Sequence, residues 1–268
     1  MPVDAIGVEH PVASADARIV SLVPSVTELL FDLDLGSNVV GRTGFCVHPR
    51  NRVKSVPKVG GTKDVNLDAL YALNPTHVIV NIDENERPLY DELVGKIANV
   101  IVTHPNSPTD NLDLFRLLGG IFKRQDEAQV LCRQLDIAMR RIDFYADEHE
   151  PKSVLYLIWR EPWMTVSENT YIARMLELVK WRIVKPVSND RYPTLTNDEI
   201  QQLAPDLILL SSEPYPFREK HVAELNSLVA DTPISLIDGE MISWYGSRAV
   251  RGLGYLCHFA RETSSHAA

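Results

Sequence analysis

The chain has 268 residues, of which 45% are hydrophobic and 24% are charged, and its formal net charge at pH 7 is −9. This composition is typical of a globular protein that is large enough for two hydrophobic cores. The negative charge and the lack of any Lys/Arg run argue against a nucleic-acid partner or an anionic membrane surface. Cys46, Cys132 and Cys257 are widely spaced and odd in number, so they do not predict a disulfide framework.

Residues 1–17 contain acidic residues and prolines but no apolar run of the length that an export signal needs. No later stretch reaches membrane-spanning length. We therefore treat residues 1–17 as an N-terminal extension. As written, the sequence predicts a cytoplasmic protein that does not span a membrane, or a periplasmic one if an export signal has been removed.

Strands and helices alternate in residues 18–125, which predicts an N-terminal α/β lobe. The first strand is expected at 18–23, and Ser25-Val26-Thr27-Glu28 fits a capping box that opens a helix ending near Gly36. Further elements are expected as a strand at 38–42, a helix at 67–73, a strand at 77–80, a helix at 87–96 and a strand at 100–103. This order predicts a mainly parallel sheet flanked by helices.

Residues 126–149 contain no Gly or Pro and predict one long connecting helix. Apolar residues recur at steps of four and three, and polar residues follow the same steps on another face. The apolar set is Leu131, Leu135, Ala138, Ile142 and Tyr145, and the polar set is Arg133, Asp136, Arg140, Asp143 and Asp147. Such a helix is on the order of 35 Å long and can join two lobes.

Residues 150–268 predict a second α/β lobe. Its expected elements are strands at 154–159, 207–210 and 234–237 and helices at 171–179, 198–203 and 248–259. The two lobes also share a pattern of helix, proline and buried strand, because DALYALNP before THVIVN matches DEIQQLAP before DLILLS at an offset of 130 residues. One copy in each lobe indicates a two-lobed design.

Several segments together resemble one known family. They are the opening IVSLVPSVTELLFDLDLGSNVVGRT, the paired LYALNPTHVIV and IQQLAPDLILLSS, the long helix, and the late SWYGSRAVRGLGYL. They resemble the helical-backbone (class III) substrate-binding proteins of ABC importers, most closely those that bind cobalamin (vitamin B12), and the resemblance covers residues 18–260. It implies an α/β fold with two lobes, each a mainly parallel sheet flanked by helices, joined by one long backbone helix.

The resemblance also implies that a ligand is captured between the lobes by loops that follow strands. The expected ligand contacts are Pro24, Ser25, Phe45, Cys46, His48, Thr62, Lys63, Trp159, Arg160, Trp163, Trp244, Tyr245 and Arg248. Among them, the tryptophans are amphipathic aromatics that suit a flat ring such as a corrin. Arg248 follows WYGS at a predicted helix start, where the resembled family places a ligand-facing Arg. Trp181, at a helix end, is expected in the core.

Cobalamin or a precursor is thus the expected ligand, and no cofactor is required. An iron-siderophore or haem receptor is the nearest alternative, and a basic cleft would favour an anionic chelate. From another class, a metal-dependent enzyme would use Cys46 and His48, with His104 as a further ligand. However, a structural zinc site normally supplies four ligands, and no second Cys/His pair occurs. Ordinary loop residues are the favoured interpretation.

Acidic residues follow the third predicted strand of the N-terminal lobe, at 77–80, and the equivalent strand of the C-terminal lobe, at 207–210. In the resembled importers, one surface Glu on each lobe docks onto arginines of the membrane permease. That role is expected here for Glu84 or Glu86 and for Glu213 or Glu219. The alternatives are an ordinary solvated acidic loop and a carrier that has no permease partner.

Overall fold

The computed structural model describes residues 1–146, 150–229 and 231–265. The chain divides into two compact units. Unit 1 contains residues 1–105, 109–135 and 245–248, and unit 2 contains residues 106–108, 136–244 and those from 249 onwards. The division falls inside the long helix rather than at its ends, and residues 245–248 belong to unit 1 although unit 2 surrounds them in sequence.

Unit 1 contains a four-stranded sheet in which all neighbouring strands are parallel. The strands are β1 (Ile19–Ser21), β2 (Val39–Arg42), β3 (His77–Asn81) and β4 (Asn99–Thr103), in the order β2-β1-β3-β4. All five residues of β3 are buried. A parallel strand covered on both faces is buried along its length and carries a run of apolar residues, here Val78, Ile79 and Val80, and such runs are why the sequence predicted these four strands correctly.

Four helices flank this sheet within unit 1. They are α1 (Pro24–Asp32), α2 (Leu67–Ala72), α3 (Arg87–Val94) and α4 (Asn111–Ile121). Helix α4 was not predicted from the sequence, because Gly119 and Gly120 near its C-terminal end weaken its helical pattern.

The predicted capping box at the start of α1 is wrong. The N-cap is Val23, which makes no side-chain cap, and Pro24 occupies the first turn. Proline fits there because its missing N–H has no helical partner. Thr27 and Glu28 are buried, and their side chains bond elsewhere: Thr27 Oγ1 donates to the Val23 carbonyl at 2.9 Å.

The long helix α5 (Gln125–Phe144) has 20 residues and is about 30 Å long. Leu131, Leu135 and Ile142 are buried as predicted, and Ala138 and Tyr145 are half-buried. The helix ends at Phe144, before the predicted end at 149, and residues 147–149 lie outside the described part of the chain. The helix passes from unit 1 to unit 2 between Leu135 and Asp136.

Unit 2 contains a six-stranded sheet of mixed direction. Its strands are β5 (Lys152–Trp159), β6 (Trp163–Thr165), β7 (Trp181–Ile183), β8 (Thr194–Leu195), β9 (Leu207–Ser211) and β10 (Ile234–Ile237). The path is β10-β9-β5-β6-β8, and β7 pairs with the first residues of β5. The pairs β5–β6 and β6–β8 are antiparallel and the others parallel.

The helices of this half are α6 (Tyr171–Glu177), α7 (Asn197–Leu203), α8 (Glu219–Asn226), α9 (Gly239–Ser243) and α10 (Arg248–Ser265). Helices α8 and α9 and the short strands β6, β7 and β8 were not predicted from the sequence. Strands of two or three residues are too short for a periodic pattern to show. In the described part of the chain, no helix is long and apolar enough to cross a membrane.

The 130-residue repeat is a structural repeat as well. Helices α2 and α7 begin at positions 67 and 197, and strands β3 and β9 begin at 77 and 207. Both helices are capped by a side chain, from Asn66 and Thr196 respectively. The residue before each proline has a positive φ, 46° at Asn74 and 40° at Ala204. The two units therefore share a helix–strand module down to its backbone conformation.

The N-terminal segment packs on unit 1 through Asp4. Its carboxylate accepts the backbone N–H of Ile6, Val8 and Val102, and it lies 3.0 Å from His10 Nε2. Residues 1–17 are therefore an integral part of the unit rather than an appended extension.

His77, the first residue of β3, is a buried histidine near this segment and is only 5% exposed. Its Nδ1 lies 2.8 Å from the Thr76 hydroxyl, and its ring packs edge-on against Phe122. Among the described residues, no group bonds to its Nε2. Burial, with a smaller contribution from His10, lowers the pKa of His77 to about 4.

We expect this lowered pKa to make the protein less stable in acid. Between about pH 6.5 and pH 4, the histidine of the unfolded chain, with a pKa near 6.5, binds a proton that His77 in the folded protein does not bind. The free energy of unfolding is therefore highest above about pH 6.5 and decreases as the pH falls towards 4. Between pH 7 and pH 5, the free energy of unfolding of the wild type should decrease by at least about 1 kcal/mol more than that of His77→Gln. Urea unfolding at the two pH values measures this, and parallel behaviour of both proteins would contradict it.

Candidate ligand-binding site

The carboxyl ends of parallel strands lie along one edge of a sheet, where ligands of open α/β folds gather. In unit 1 this edge carries the loops that follow β2 at Arg42, β3 at Asn81 and β4 at Thr103. We call the exposed side chains of these loops the unit 1 face. Three large apolar side chains belong to it, namely Phe45, Val47 and Ile82, which are 62%, 42% and 47% exposed.

The loop after β2 alternates between buried and exposed residues. Phe45 and Val47 are exposed, whereas Cys46 between them is completely buried. Cys46 Sγ lies within hydrogen-bond distance of the hydroxyls of Thr27, at 3.1 Å, and Thr43, at 3.2 Å. Burial raises the pKa of the Cys46 thiol, so this residue stays protonated and anchors the loop.

Arg42 holds the same loop from inside. Its guanidinium is buried and donates to the carbonyl oxygens of Val53 at 2.9 Å and of Thr43 and Cys46 at 3.1 Å each. A cation that makes three such bonds in the interior is a scaffold for the loop. The pair Phe45 and Val47 is therefore presented on a braced backbone.

The loop after β3 is fixed by side-chain amides. The Asn85 side chain accepts the Asn81 backbone N–H at 2.8 Å and donates to the Thr62 carbonyl at 2.9 Å, and the Asn81 side chain accepts the Asp83 N–H at 2.8 Å. These bonds present Ile82 to the outside and join its loop to Thr62. Ile82 was not among the predicted site residues, although an isoleucine directly after the buried run HVIVN was a visible signal.

The structure gives no support for metal binding by the histidines and Cys46. His104 Nε2 lies 3.5 Å from the carboxylate of Asp83, His48 is half-buried, and Cys46 is a buried thiol. Among the described residues, no three His, Cys, Asp or Glu side chains are grouped so that they could hold a metal ion.

Residues Tyr245–Arg248, here called the return segment, are buried in unit 1. The hydroxyl of Tyr245 donates to the Glu84 carboxylate, and the backbone N–H of Gly246 donates to Asn111 Oδ1 at 2.5 Å. Burial, with the charges of Glu84 and Asp83, raises the pKa of Tyr245 well above its usual value, so the phenol stays protonated as a donor.

The strongest contact of the return segment is an ion pair. Arg248 donates from Nε to Glu28 Oε2 at 2.7 Å and from Nη2 to Oε1 at 3.0 Å. The two side chains are only 3% and 8% exposed. This two-pronged geometry is the favourable one for a guanidinium and a carboxylate.

These contacts correct several expectations. Arg248 and Tyr245 bond inside unit 1 and are not exposed to a ligand. Pro24 and Ser25 are buried, with the Ser25 carbonyl packed against Gly246. Glu84, expected on the surface for docking, accepts the Tyr245 hydroxyl. Thr62 is half-buried and Lys63 is exposed.

In unit 2, Trp159 ends β5 and is 41% exposed. Tyr215, in the loop after β9, packs edge-on against it with ring centroids 5.6 Å apart. The backbone N–H of Tyr215 donates to the Ile158 carbonyl at 3.3 Å, which ties this loop to the end of β5. Trp159 and Tyr215 form what we call the unit 2 face.

Trp163 does not belong to this face. It begins β6, is buried, stacks on Phe217 with an interplanar angle of 6°, and donates from Nε1 to Asn197 Oδ1 at 3.0 Å. Arg160 lies 4.2 Å from the centroid of its ring and bonds to the Glu224 carboxylate. The expectation that Trp163 lines the site is therefore corrected, and Arg160 is paired with Glu224, whose side chain is 40% exposed.

Trp244 is also buried, and its indole N–H donates to Glu213 Oε2 at 3.0 Å. Trp244 therefore lies in the interior of unit 2. Glu213, which had been expected at a docking surface, accepts the hydrogen bond from Trp244. Trp181 is completely buried, as predicted. The other two acidic residues, Glu86 and Glu219, are exposed at the start of α3 and α8.

Two α/β units that share a long helix, each with exposed apolar side chains at the carboxyl ends of its strands, define a ligand-binding protein. A model of the periplasmic binding protein family matches residues 19–233, and the chain belongs to that family. It has the fold of the helical-backbone (class III) substrate-binding proteins of ABC importers. The family consists of transport proteins, which removes the enzyme alternative that would use Cys46 and His48.

Relatives and solved structures agree on the fold and differ in ligand. The high-affinity heme uptake system protein IsdE of Staphylococcus aureus is 26% identical over 201 residues, which cover 73% of this chain and 67% of that protein. The vitamin B12 binding protein BtuF of Vibrio cholerae matches with a TM-score of 0.80 and 14% identity over 92% of this chain and 97% of that one. The heme-binding protein RhuT of Roseiflexus sp. RS-1 matches with a TM-score of 0.77 and 22% identity over 92% and 98%.

The ion pair of the return segment leads to a stability prediction. Arg248→Met should destabilise the protein by roughly 3 to 5 kcal/mol, because it leaves the Glu28 carboxylate buried without its cation. The double change Glu28→Leu/Arg248→Met should cost less than this single change. Urea unfolding measures both. Lys96→Met, which breaks the exposed pair with Glu92, is the control and should change little. An unchanged free energy of unfolding in Arg248→Met would contradict the role of the buried ion pair.

Proposed function

We propose that the protein binds a corrinoid, either cobalamin or a precursor, for delivery to an ABC importer. The observation that carries the proposal is the set of exposed apolar and aromatic side chains that each face presents at the carboxyl ends of its strands. Phe45, Val47 and Ile82 contribute apolar area from unit 1, and Trp159 and Tyr215 contribute aromatic area from unit 2. A large flat ring buries much area against such side chains at little ordering cost.

The positions of the cations support the same ligand. Arg42 and Arg248 are buried with internal partners, and Arg160 bonds to Glu224. Of the three cationic residues among the expected ligand contacts, Lys63, Arg160 and Arg248, only Lys63 is exposed. A catecholate chelate or a haem with its propionates would be best served by exposed cations. The neutral peripheral amides of a corrinoid do not need them.

Haem is the second candidate, because the sequence relative IsdE belongs to a heme uptake system and the structurally similar RhuT is a heme-binding protein. Absorption spectra after incubation with cyanocobalamin, haemin or a ferric catecholate, followed by desalting, distinguish the ligands. Retention of cyanocobalamin alone supports the proposal. Retention of haemin or the iron chelate without cyanocobalamin would replace it and leave the fold unchanged.

The two faces should contribute separately to corrinoid affinity. Trp159→Ala and Phe45→Ala should each weaken cyanocobalamin binding by roughly 1 to 3 kcal/mol, because each removes a large apolar contact. Titration of tryptophan fluorescence measures wild type and Phe45→Ala, and calorimetry measures all three. Val187→Ala is the matched control, since Val187 is fully exposed outside both faces. Unchanged affinity in both face variants would contradict the proposed site.

For the permease, the exposed acids Glu86 and Glu219 are the proposed docking residues, one in each unit. Glu86→Lys/Glu219→Lys should leave cyanocobalamin binding intact but abolish permease-dependent corrinoid uptake, because opposite charges steer and orient such contacts. Uptake assays in cells that carry the importer measure this.

The matched control for docking is Asp126→Lys/Asp198→Lys. It also reverses one exposed acid at the start of a helix in each unit, here in the first turns of α5 and α7, and should leave uptake unchanged. Equal uptake with both double variants would contradict docking through Glu86 and Glu219. Cell fractionation that finds the protein only in the cytoplasm would favour a carrier without a permease.

A further inference from the structure

Tyr215 occupies a special position on the unit 2 face. One side of its ring packs against the exposed Trp159, and it also contacts Phe217 and His221 at centroid distances of 4.8 and 5.3 Å. His221 is buried, and its Nε2 lies 3.2 Å from the Tyr215 hydroxyl oxygen. The direction of this last hydrogen bond determines what the hydroxyl can do for a ligand.

The local backbone sets that direction. His221 is the third residue of α8, and its Nδ1 accepts the backbone N–H of Arg218, the N-cap residue, at 2.9 Å. A ring nitrogen that accepts a hydrogen bond carries no proton, so the neutral imidazole must be protonated at Nε2. Burial also lowers the pKa of His221, which keeps the ring neutral. His221 Nε2–H is therefore the donor, and the Tyr215 oxygen is the acceptor.

It follows that the Tyr215 O–H is directed at something other than His221. Among the residues that the structure describes, His221 is the one hydrogen-bond partner of this hydroxyl. We propose that Tyr215 donates its phenolic hydrogen to an acceptor oxygen on the periphery of the bound ligand, and that His221 is the positioning residue that fixes this polarity. The inference rests on the proposed corrinoid function and assigns a specificity residue to it.

The chemistry favours a carbonyl or carboxylate oxygen as the acceptor. In a corrinoid, that group is a side-chain amide carbonyl, placed at the rim of a ring that covers Trp159. The bond from His221 draws electron density from the phenol oxygen and strengthens it as a donor. A ligand with no acceptor at this place would leave the hydroxyl without a partner in the complex, which lowers its affinity.

The tautomer is tested without any ligand. Nitrogen-15 NMR of the imidazole of His221 in the full chain should show Nδ1 unprotonated and Nε2 protonated at pH 7. The opposite tautomer would overturn the inference, because Nε2 would then accept from Tyr215 and use up its hydrogen.

The ligand bond is tested with cyanocobalamin, in which both axial positions of cobalt are filled, so Tyr215 cannot act as a metal ligand. Tyr215→Phe keeps the ring and removes only the hydroxyl, and it should weaken binding about three- to tenfold. Tyr90→Phe, which removes a hydroxyl from α3 in unit 1, should have no effect. Equal affinity of wild type and Tyr215→Phe would overturn the inference alone, whereas a wild type that binds no cyanocobalamin would overturn the proposed function as well.

Two substitutions separate the roles of the His221 nitrogens. Gln can supply an N–H donor near the position of Nε2, whereas Asn can supply an acceptor near Nδ1 but does not reach Tyr215. His221→Gln should therefore retain more affinity than His221→Asn, and adding Tyr215→Phe to His221→Asn should cause little further loss. Circular dichroism checks that each variant is folded. Full additivity of His221→Asn and Tyr215→Phe would contradict the positioning role.

Discussion

The buried ion pair between Glu28 and Arg248 is the constraint on which unit 1 depends. Its partners are 220 positions apart in sequence, so forming this contact carries the entropic cost of closing a very long loop. Two buried charges must also lose their water, and only a geometry with two hydrogen bonds offsets that cost. The pair therefore holds the return segment in one place. Its neighbour Tyr245 then reaches Glu84, which lies two residues after Ile82 of the unit 1 face.

Two further arginines support the loops that lie next to the apolar side chains of the faces. Arg42 braces the loop of Phe45 and Val47 from inside through three carbonyl oxygens. Arg160 is held by Glu224 and by the ring of Trp163. Each arginine therefore braces, from within its own unit, a loop next to the apolar side chains of a face. A rigid apolar surface loses little entropy when a flat ligand covers it.

Local pattern predicted the main strands, most helices and the 130-residue repeat, because buried parallel strands and the helix–proline–strand module are local in sequence. The site was predicted less well. Phe45 and Trp159 are exposed as expected, but Trp163, Trp244 and Arg248 are buried, each by a partner distant in sequence. An amphipathic residue at a strand end is compatible with either an exposed or a buried position. The capping box at Ser25 failed for the same reason, since Glu28 has its partner at Arg248.

The repeated module also shows how two similar halves present different side chains in the loops that follow β3 and β9. Strands β3 and β9 occupy equivalent positions, and each is followed by a loop that carries part of a face. After β3, amide side chains close a short loop and present an isoleucine. After β9, residues 212–218 lead into α8, and the backbone N–H of its N-cap residue orients His221 and through it Tyr215. The first face can therefore contribute apolar area, while the second adds a directed hydrogen bond. Discrimination between ligands of similar size and flatness should consequently reside mainly in unit 2, where a polar group on the ligand either meets that donor or does not.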